Sequence, residues 1–184
     1  MSQSVTSTLV TERTILRPFA VEDTQELLNL FQEPAIRRYL LDDTQVELDW
    51  VAAEIEASNA LFIDTGAGLW SVMLEARDEI VGFTGFREFF DPPQLQLLYG
   101  LHPRHWGRGI ATEVAASVCQ YAFEKLDFTQ IAAAIDVPNT ASKNVLERLG
   151  MRLLRVSDEG VAGTAFYTVD RTRWLAQHEP TREP

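Results

Sequence analysis

Cysteine is nearly missing from this chain: Cys119 is the one thiol in 184 residues. Without a second thiol there is no disulfide framework and no cysteine knuckle for a metal, and a lone cysteine inside a helical pattern reads as a small buried apolar residue. Also lacking is any apolar run of bilayer length, and the start MSQSVTSTLVTERT has no basic segment leading into an apolar one, so neither a membrane span nor a secretory leader is expected. A cytoplasmic location follows as the expectation. Basic residues are scarce, with Lys and Arg together 16 against 27 Asp and Glu and a net charge of −11. Direct nucleic-acid binding needs clustered cations on a broad face and is disfavoured. The same acidity favours cationic substrates weakly, since solubility alone accounts for such a charge. Of the three histidines, His102 and His105 lie close together in a proline-containing loop with no third ligand in view, so no metal is expected.

No repeat, linker or low-complexity tract divides the sequence, and 46% hydrophobic with 23% charged residues is ordinary globular composition. One domain over 1–184 is expected, with flexible ends at 1–10 and 179–184. Apolar spacing predicts a strand over 14–19 and helices over a stretch containing Leu27, Leu28, Leu30 and Phe31, over 34–41, and from Thr44 to about Asn59. A hairpin of strands 69–76 and 80–89 follows, turning at 77–79, and then a strand over 94–101. Beyond a glycine turn come a long helix with Ile110, Val114, Val118 and Tyr121 on one face and a buried strand over 131–137. A helix over 139–149 ended by Gly150, strands 151–157 and 163–169, and a terminal helix over 170–177 complete the chain. The class is α+β: a mixed, strongly twisted central sheet covered by helices.

The segment Arg104-His-Trp-Gly-Arg-Gly-Ile-Ala111 carries the clearest chemistry, because it joins a strand to a long helix. Two glycines there allow backbone N–H groups to turn inward together, and the helix N-terminus adds partial positive charge: an anion cradle. It is too short for a nucleotide P-loop and lacks the three-glycine dinucleotide fingerprint. A tight strand-to-helix turn with no ligand remains the other reading of the motif alone.

The run Leu97-Leu-Tyr-Gly-Leu-His-Pro-Arg-His-Trp-Gly-Arg-Gly-Ile-Ala-Thr-Glu, with Asn139-Thr-Ala-Ser142 and Leu149-Gly150-Met151 downstream, resembles the Gcn5-related N-acetyltransferases (GNAT). Within that superfamily it is most similar to the branch containing the ribosomal-protein N-terminal acetyltransferases, and the resemblance spans about 11–175. It implies acetyl-CoA as co-substrate, a splayed pair of strands (94–101 and 131–137), and backbone amides of Trp106, Gly107, Arg108, Gly109, Ile110 and Ala111 on the coenzyme pyrophosphate. Arg104 matches the residue that opens the family motif, and Arg108 fills its variable position. The resemblance also implies an oxyanion donor in the amide near Leu101 and a pantetheine contact from Asn139. Asn139 reads equally as a helix N-cap reaching an amide near Ser142. Ser142, by analogy, protonates the leaving thiolate, or is a first-turn hydroxyl and no more.

Two positions depart from the family pattern. The tyrosine that many relatives carry later on the same helix is replaced by Leu146, and the glutamate before the pyrophosphate turn is replaced by Gln96, which takes no proton. A missing strong base favours a weakly basic acceptor: an α-amine with a pKa of about 8 is roughly a tenth neutral near pH 7, a lysine side chain far less. Glu75, Glu88, Glu113 and His102 remain substitute bases. Trp50, Phe31, Tyr39, Phe89 and Phe90 line an acceptor pocket or belong to core and rim packing. The expected activity is acetyl transfer from acetyl-CoA to a primary amine, a protein N-terminus or a small molecule, by direct attack in a ternary complex, the enzyme acting as monomer or homodimer. The alternatives are a catalytically weak acyl-CoA-binding module and a transferase using another acyl group or acceptor.

Overall fold

The computed structural model describes residues 8–74, 79–158 and 162–178. An eight-stranded sheet runs through it in the order β1-β2-β3-β4-β5-β6-β8-β7. The strands are β1 (Leu9–Val10), β2 (Thr14–Pro18), β3 (Leu69–Leu74), β4 (Ile80–Phe89), β5 (Gln94–Leu101), β6 (Gln130–Asp136), β7 (Arg152–Ser157) and β8 (Thr164–Asp170). All neighbouring pairs are antiparallel except β5 with β6, which is parallel. A parallel pair needs a crossover, and it is supplied by α4 (Ile110–Lys125).

Helices cover both faces because each strand alternates its apolar residues between two cores. On one face Leu97 and Leu101 of β5 and Ile131 and Ala133 of β6 pack with Val114, Val118 and Phe123 of α4. Val145 and Leu146 of α5 (Thr140–Arg148) and Trp174 of α6 (Arg171–His178) close that side. On the other face Phe83 and Leu69 meet α1 (Thr24–Gln32), α2 (Pro34–Leu40) and α3 (Leu48–Thr65) through Leu27, Phe31, Ile36, Val51 and Ile55. Cys119 is fully buried on the α4 side, where burial pushes its thiol pKa up, in keeping with a packing role.

Most sequence-based boundaries fall within one or two residues of the observed ones, and the 94–101 strand coincides with β5. The largest difference is α3, expected over 44–59. Glu47 is extended at φ −112°, ψ 172°, so the helix starts at Leu48; it continues to Thr65, where Gly66 caps it with φ 78°. Val46, which fits the helical spacing, is buried in an extended lead-in whose carbonyl accepts a hydrogen bond from Gln32 at 3.0 Å. Residues 9–10, expected to be flexible, pair with β2. The turn at 77–79 and the far ends of the chain fall largely outside the described residues. Among the described residues no helix is long and apolar enough to cross a membrane.

Candidate active site

β5 and β6 part company soon after they meet. Their register is carried by Gln96 opposite Ala132 alone, whereas β4 and β5 pair along their full length. The direction of the backbone groups in the gap follows from alternation. His102 N donates to Val81 O at 2.9 Å, so that pair is hydrogen-bonded and the next, Leu101 opposite Gly82, is not. The amides of Leu101 and Tyr99 therefore face away from β4, into the opening between β5 and β6. The Leu101 carbonyl points the same way and accepts the Trp106 indole Nε1–H at 2.7 Å, which draws the ring against the end of the strand.

From Leu101 the chain makes one 3₁₀ turn over Pro103–His105 and enters the glycine turn. Gly107 has φ 71° and Gly109 φ 77°, left-handed conformations that a β-branched residue resists. A Cβ added at Gly107 would meet nothing within 4 Å, so this side of the turn is open to a ligand. Gly109 is the N-cap of α4 and has no side chain to bond the first amides of the helix. Among the described residues no backbone hydrogen bond engages the N–H groups of Gly107, Arg108, Gly109, Ile110 and Ala111, which lie at the positive end of the helix dipole. The Trp106 amide is different: it donates to Pro103 O at 3.0 Å, leaving the exposed indole as that residue's means of contact.

Charged side chains surround the turn unequally. The Arg104 guanidinium is turned to Glu79 and to His105 Nε2, the latter at 3.0 Å, whereas no hydrogen bond or ion pair holds the Arg108 side chain among the described residues. Burial, then the charges of Arg104, Arg108 and His102, lower the His105 pKa against an opposing pull from Glu79. Arg13, at the start of the β2 hairpin, bonds Glu113 and also donates from Nη1 to Arg108 O at 2.7 Å, bracing the turn from outside.

Asn139 caps α5: its side-chain oxygen accepts from Ser142 N at 3.1 Å, leaving the amide NH₂ for another partner. Ser142 lies in the first turn of α5, and its carbonyl accepts the Tyr99 hydroxyl at 3.0 Å. That bond crosses the gap and ties the start of α5 to β5. Burial raises the Tyr99 pKa, which favours the phenol that donates this bond. Tyr99 was not among the residues singled out in the sequence; its place two residues before Leu101, on an outward-facing amide, was the signal.

The substitute bases fare differently. Glu113 accepts from Thr11 Oγ1 at 2.6 Å, Arg13 N at 3.0 Å and Arg13 Nε at 2.6 Å. Burial raises its pKa but those bonds outweigh it, and the net shift is downward, which suits a fixed anion better than a base. His102 Nε2 is 3.5 Å from Glu33 Oε2, at the end of β5 that bears Leu101. Glu88 is exposed on β4, and Glu75 lies outside the described residues. Gln96 is 3% exposed, with its side-chain oxygen buried and without a hydrogen-bond partner among the described residues; Leu146 is fully buried in the core. Among the aromatic candidates Phe31 is core, meeting Trp50 edge to face and Phe83 at a tilt, with ring distances of 5.3 and 5.1 Å. Phe89 and Phe90 form an open cluster with Phe166 of β8, joined by Arg87 and Arg155 over the rings.

Sheet order, splayed parallel pair and glycine turn together are the architecture expected of an acetyltransferase fold. The family described as Acetyltransferase (GNAT) domain matches residues 13–152, and the chain belongs to it. An uncharacterized N-acetyltransferase, p20, from Bacillus licheniformis is 27% identical over 146 residues, covering 79% of this chain and 82% of that one. The crystal structure of an acetyltransferase from Agrobacterium tumefaciens is similar at a TM-score of 0.77 with 25% identity, covering 92% of this chain and 96% of the other. A ribosomal L7/L12 α-N-protein acetyltransferase, RimL, in complex with coenzyme A shares the fold at a TM-score of 0.74 and 15% identity, with 88% and 96% covered.

Proposed function

We propose that this protein transfers an acetyl group from acetyl-CoA to a primary amine, the two substrates bound together and the amine attacking the thioester directly. The observation that carries the reading is the gap between β5 and β6, into which the Leu101 and Tyr99 amides point, opening beside the amides of 107–111, which no backbone hydrogen bond engages among the described residues. A pantetheine arm supplies the strand partners that β6 withholds, and a pyrophosphate meets the converging amides and Arg108. RimL, which shares the fold, is itself in complex with coenzyme A, and that supports coenzyme A as the ligand class.

In this reading the Leu101 amide donates to the acetyl oxygen as negative charge grows on it. Asn139 holds the arm through its free NH₂. The Ser142 hydroxyl delivers a proton to the departing thiolate, with Tyr99 fixing the helix turn that carries it. Positioning and oxyanion stabilisation supply most of the acceleration, and no covalent enzyme intermediate is needed. The site serves an α-amine of a protein or a weakly basic small amine better than a lysine side chain, because Gln96 adds no base beside the strand.

A second reading, a coenzyme-binding module with little turnover, is favoured by Gln96 and by the buried Leu146. One experiment separates them: a thermal melt with millimolar acetyl-CoA, followed by release of free thiol with a panel of amines. Stabilisation with amine-dependent thiol release supports transfer, stabilisation without release supports the module, and no stabilisation overturns both.

A further inference from the structure

Gln96 leaves the site without a proton acceptor on β5, but β6 carries a carboxylate at the opposite lip of the gap. Cross-strand partners share a face, so Gln96, Ala132 and Thr168 lie on one face of the sheet, and by alternation Asp136, the last residue of β6 and opposite Thr164, lies there too. This is the face that α1, α2 and α3 cover over β3 to β5. Because β5 and β6 are parallel and register at Gln96 and Ala132, Asp136 is level with Gly100, one residue short of the Leu101 amide. The loop after α2 brings Asp42, held at φ 49°, close enough for its charge to act on Asp136.

Two observations set this carboxylate apart from the exposed acids of an acidic protein. No hydrogen bond or ion pair engages the Asp136 side chain among the described residues; Thr164 on β8 and Gly100 on β5 carry no charge, and Asp42 is the charged neighbour whose field reaches it. At the closed end of the same face the Gln96 side-chain oxygen is buried with no donor among the described residues, a cost relieved by a ligand N–H. An amine entering on this face finds a neutral acceptor at the root of the gap, and at its lip a carboxylate next to the level of the oxyanion amide.

We propose that Asp136 is the proton acceptor for the attacking amine, in the place that Gln96 leaves vacant. The proposal rests on the acetyl-transfer reading. The C–N bond forms as the C–S bond breaks; the proton on nitrogen passes to the Asp136 carboxylate and on to solvent, and the thiolate takes up a proton through Ser142. Burial, and then the like charge of Asp42, raise the Asp136 pKa, which brings the carboxylate closer to neutrality as a base.

The test uses the full chain with acetyl-CoA and two probe amines, a short peptide with a free N-terminal alanine and 1,4-diaminobutane. Asp136→Asn is expected to lower kcat by about 10² to 10⁴-fold while leaving the acetyl-CoA melting shift unchanged, and Asp136→Glu to recover part of the loss. In the wild type, kcat/KM should show an acidic inflection that stays in place when the amine is changed. It should move to lower pH in Asp42→Asn and vanish in Asp136→Asn. The carboxyl ¹³C resonance of Asp136 should titrate with the same inflection in the protein without coenzyme. A loss under about threefold in Asp136→Asn, or an inflection indifferent to Asp42, overturns the proposal. So does a wild-type protein that binds acetyl-CoA and acetylates neither probe. Absence of any acetyl-CoA melting shift would instead strike the transfer reading itself.

Discussion

Arg13 and Glu113, a hundred residues apart in sequence, are joined through Arg13 Nε to Glu113 Oε2 at 2.6 Å, and the same guanidinium reaches the Arg108 carbonyl at 2.7 Å. The pair links the first hairpin to the first turn of α4 and thereby fixes the loop between Gly107 and Gly109 from its outer side. Glu113→Gln removes the charge that orients Arg13, and the turn loses its brace. Coenzyme affinity should fall several-fold, and stability by about 1–2 kcal/mol, the low end for hydrogen bonds to a charged group because Arg13 is partly exposed. Titration calorimetry with acetyl-CoA and urea unfolding are the measurements.

The same carboxylate carries a pH prediction. Its folded-state pKa lies below the ordinary carboxylate value, since hydrogen bonds from Thr11 and Arg13 overcome burial. A depressed pKa means that its contribution is present above the ordinary carboxylate range and is lost as pH falls through the folded value. The difference in urea midpoint between wild type and Glu113→Gln should therefore be full at pH 7 and shrink as the solution is acidified. A difference that stayed constant down to pH 3 would assign the effect to packing.

At the glycine turn the cost of a side chain divides between fold and ligand. Gly107→Val meets open space, so its penalty to folding is the left-handed backbone alone, about 1–2 kcal/mol, while the new side chain occupies the side from which an anion would approach. Coenzyme binding should fall by more than tenfold in a protein that still unfolds cooperatively. A folded Gly107→Val variant with normal affinity would move the cradle elsewhere.

These relationships show what a sequence can disclose by itself. The strand from Gln94 to Leu101 is legible because it alternates and runs into a glycine turn, and α5 because Asn139 caps it and Gly150 follows it. The start of α3 is not, because the spacing of Val46 satisfies a helix although packing holds it in extended chain. Nor is the loss of the Trp106 amide to Pro103, which depends on the 3₁₀ turn, or the tie from Tyr99 to Ser142, which depends on how far two strands have separated. Motifs fix which backbone segments bear the chemistry. Tertiary pairing decides which of their groups remain free to do it.

Ser142 and Tyr99 make separable contributions. Ser142→Ala removes a hydroxyl and keeps the Asn139 cap, whose donor is the backbone amide, so turnover should fall by about 10² to 10⁴-fold with coenzyme affinity nearly unchanged. Tyr99→Phe removes the bond that holds the carbonyl of Ser142; kcat should drop by a smaller factor and the melting temperature with it. A Ser142→Ala loss under about threefold would leave Ser142 as a helix-turn hydroxyl only.

Gln96→Glu tests whether a base on β5 adds to the one on β6. The site is 3% exposed, so a carboxyl placed there is desolvated and its pKa raised. Arg87, its cross-strand neighbour, offers little relief, being held by both Glu54 oxygens at 2.7 and 2.6 Å. Because the folded-state pKa is raised, ionisation costs the variant stability; that cost is absent below the ordinary carboxylate range and is fully felt once pH has risen through the new value. The melting temperature of Gln96→Glu should therefore fall further below wild type at pH 8 than at pH 5. Turnover should respond in the opposite sense: once ionised, the new carboxylate attracts a cationic amine and accepts its proton, so the more basic acceptor gains more. The ratio of kcat/KM for 1,4-diaminobutane to that for an alanine-initiated peptide, measured from pH 6 to 9, should rise in the variant. An unchanged ratio with the expected loss of stability would mean that the Gln96 side chain does not reach the amine.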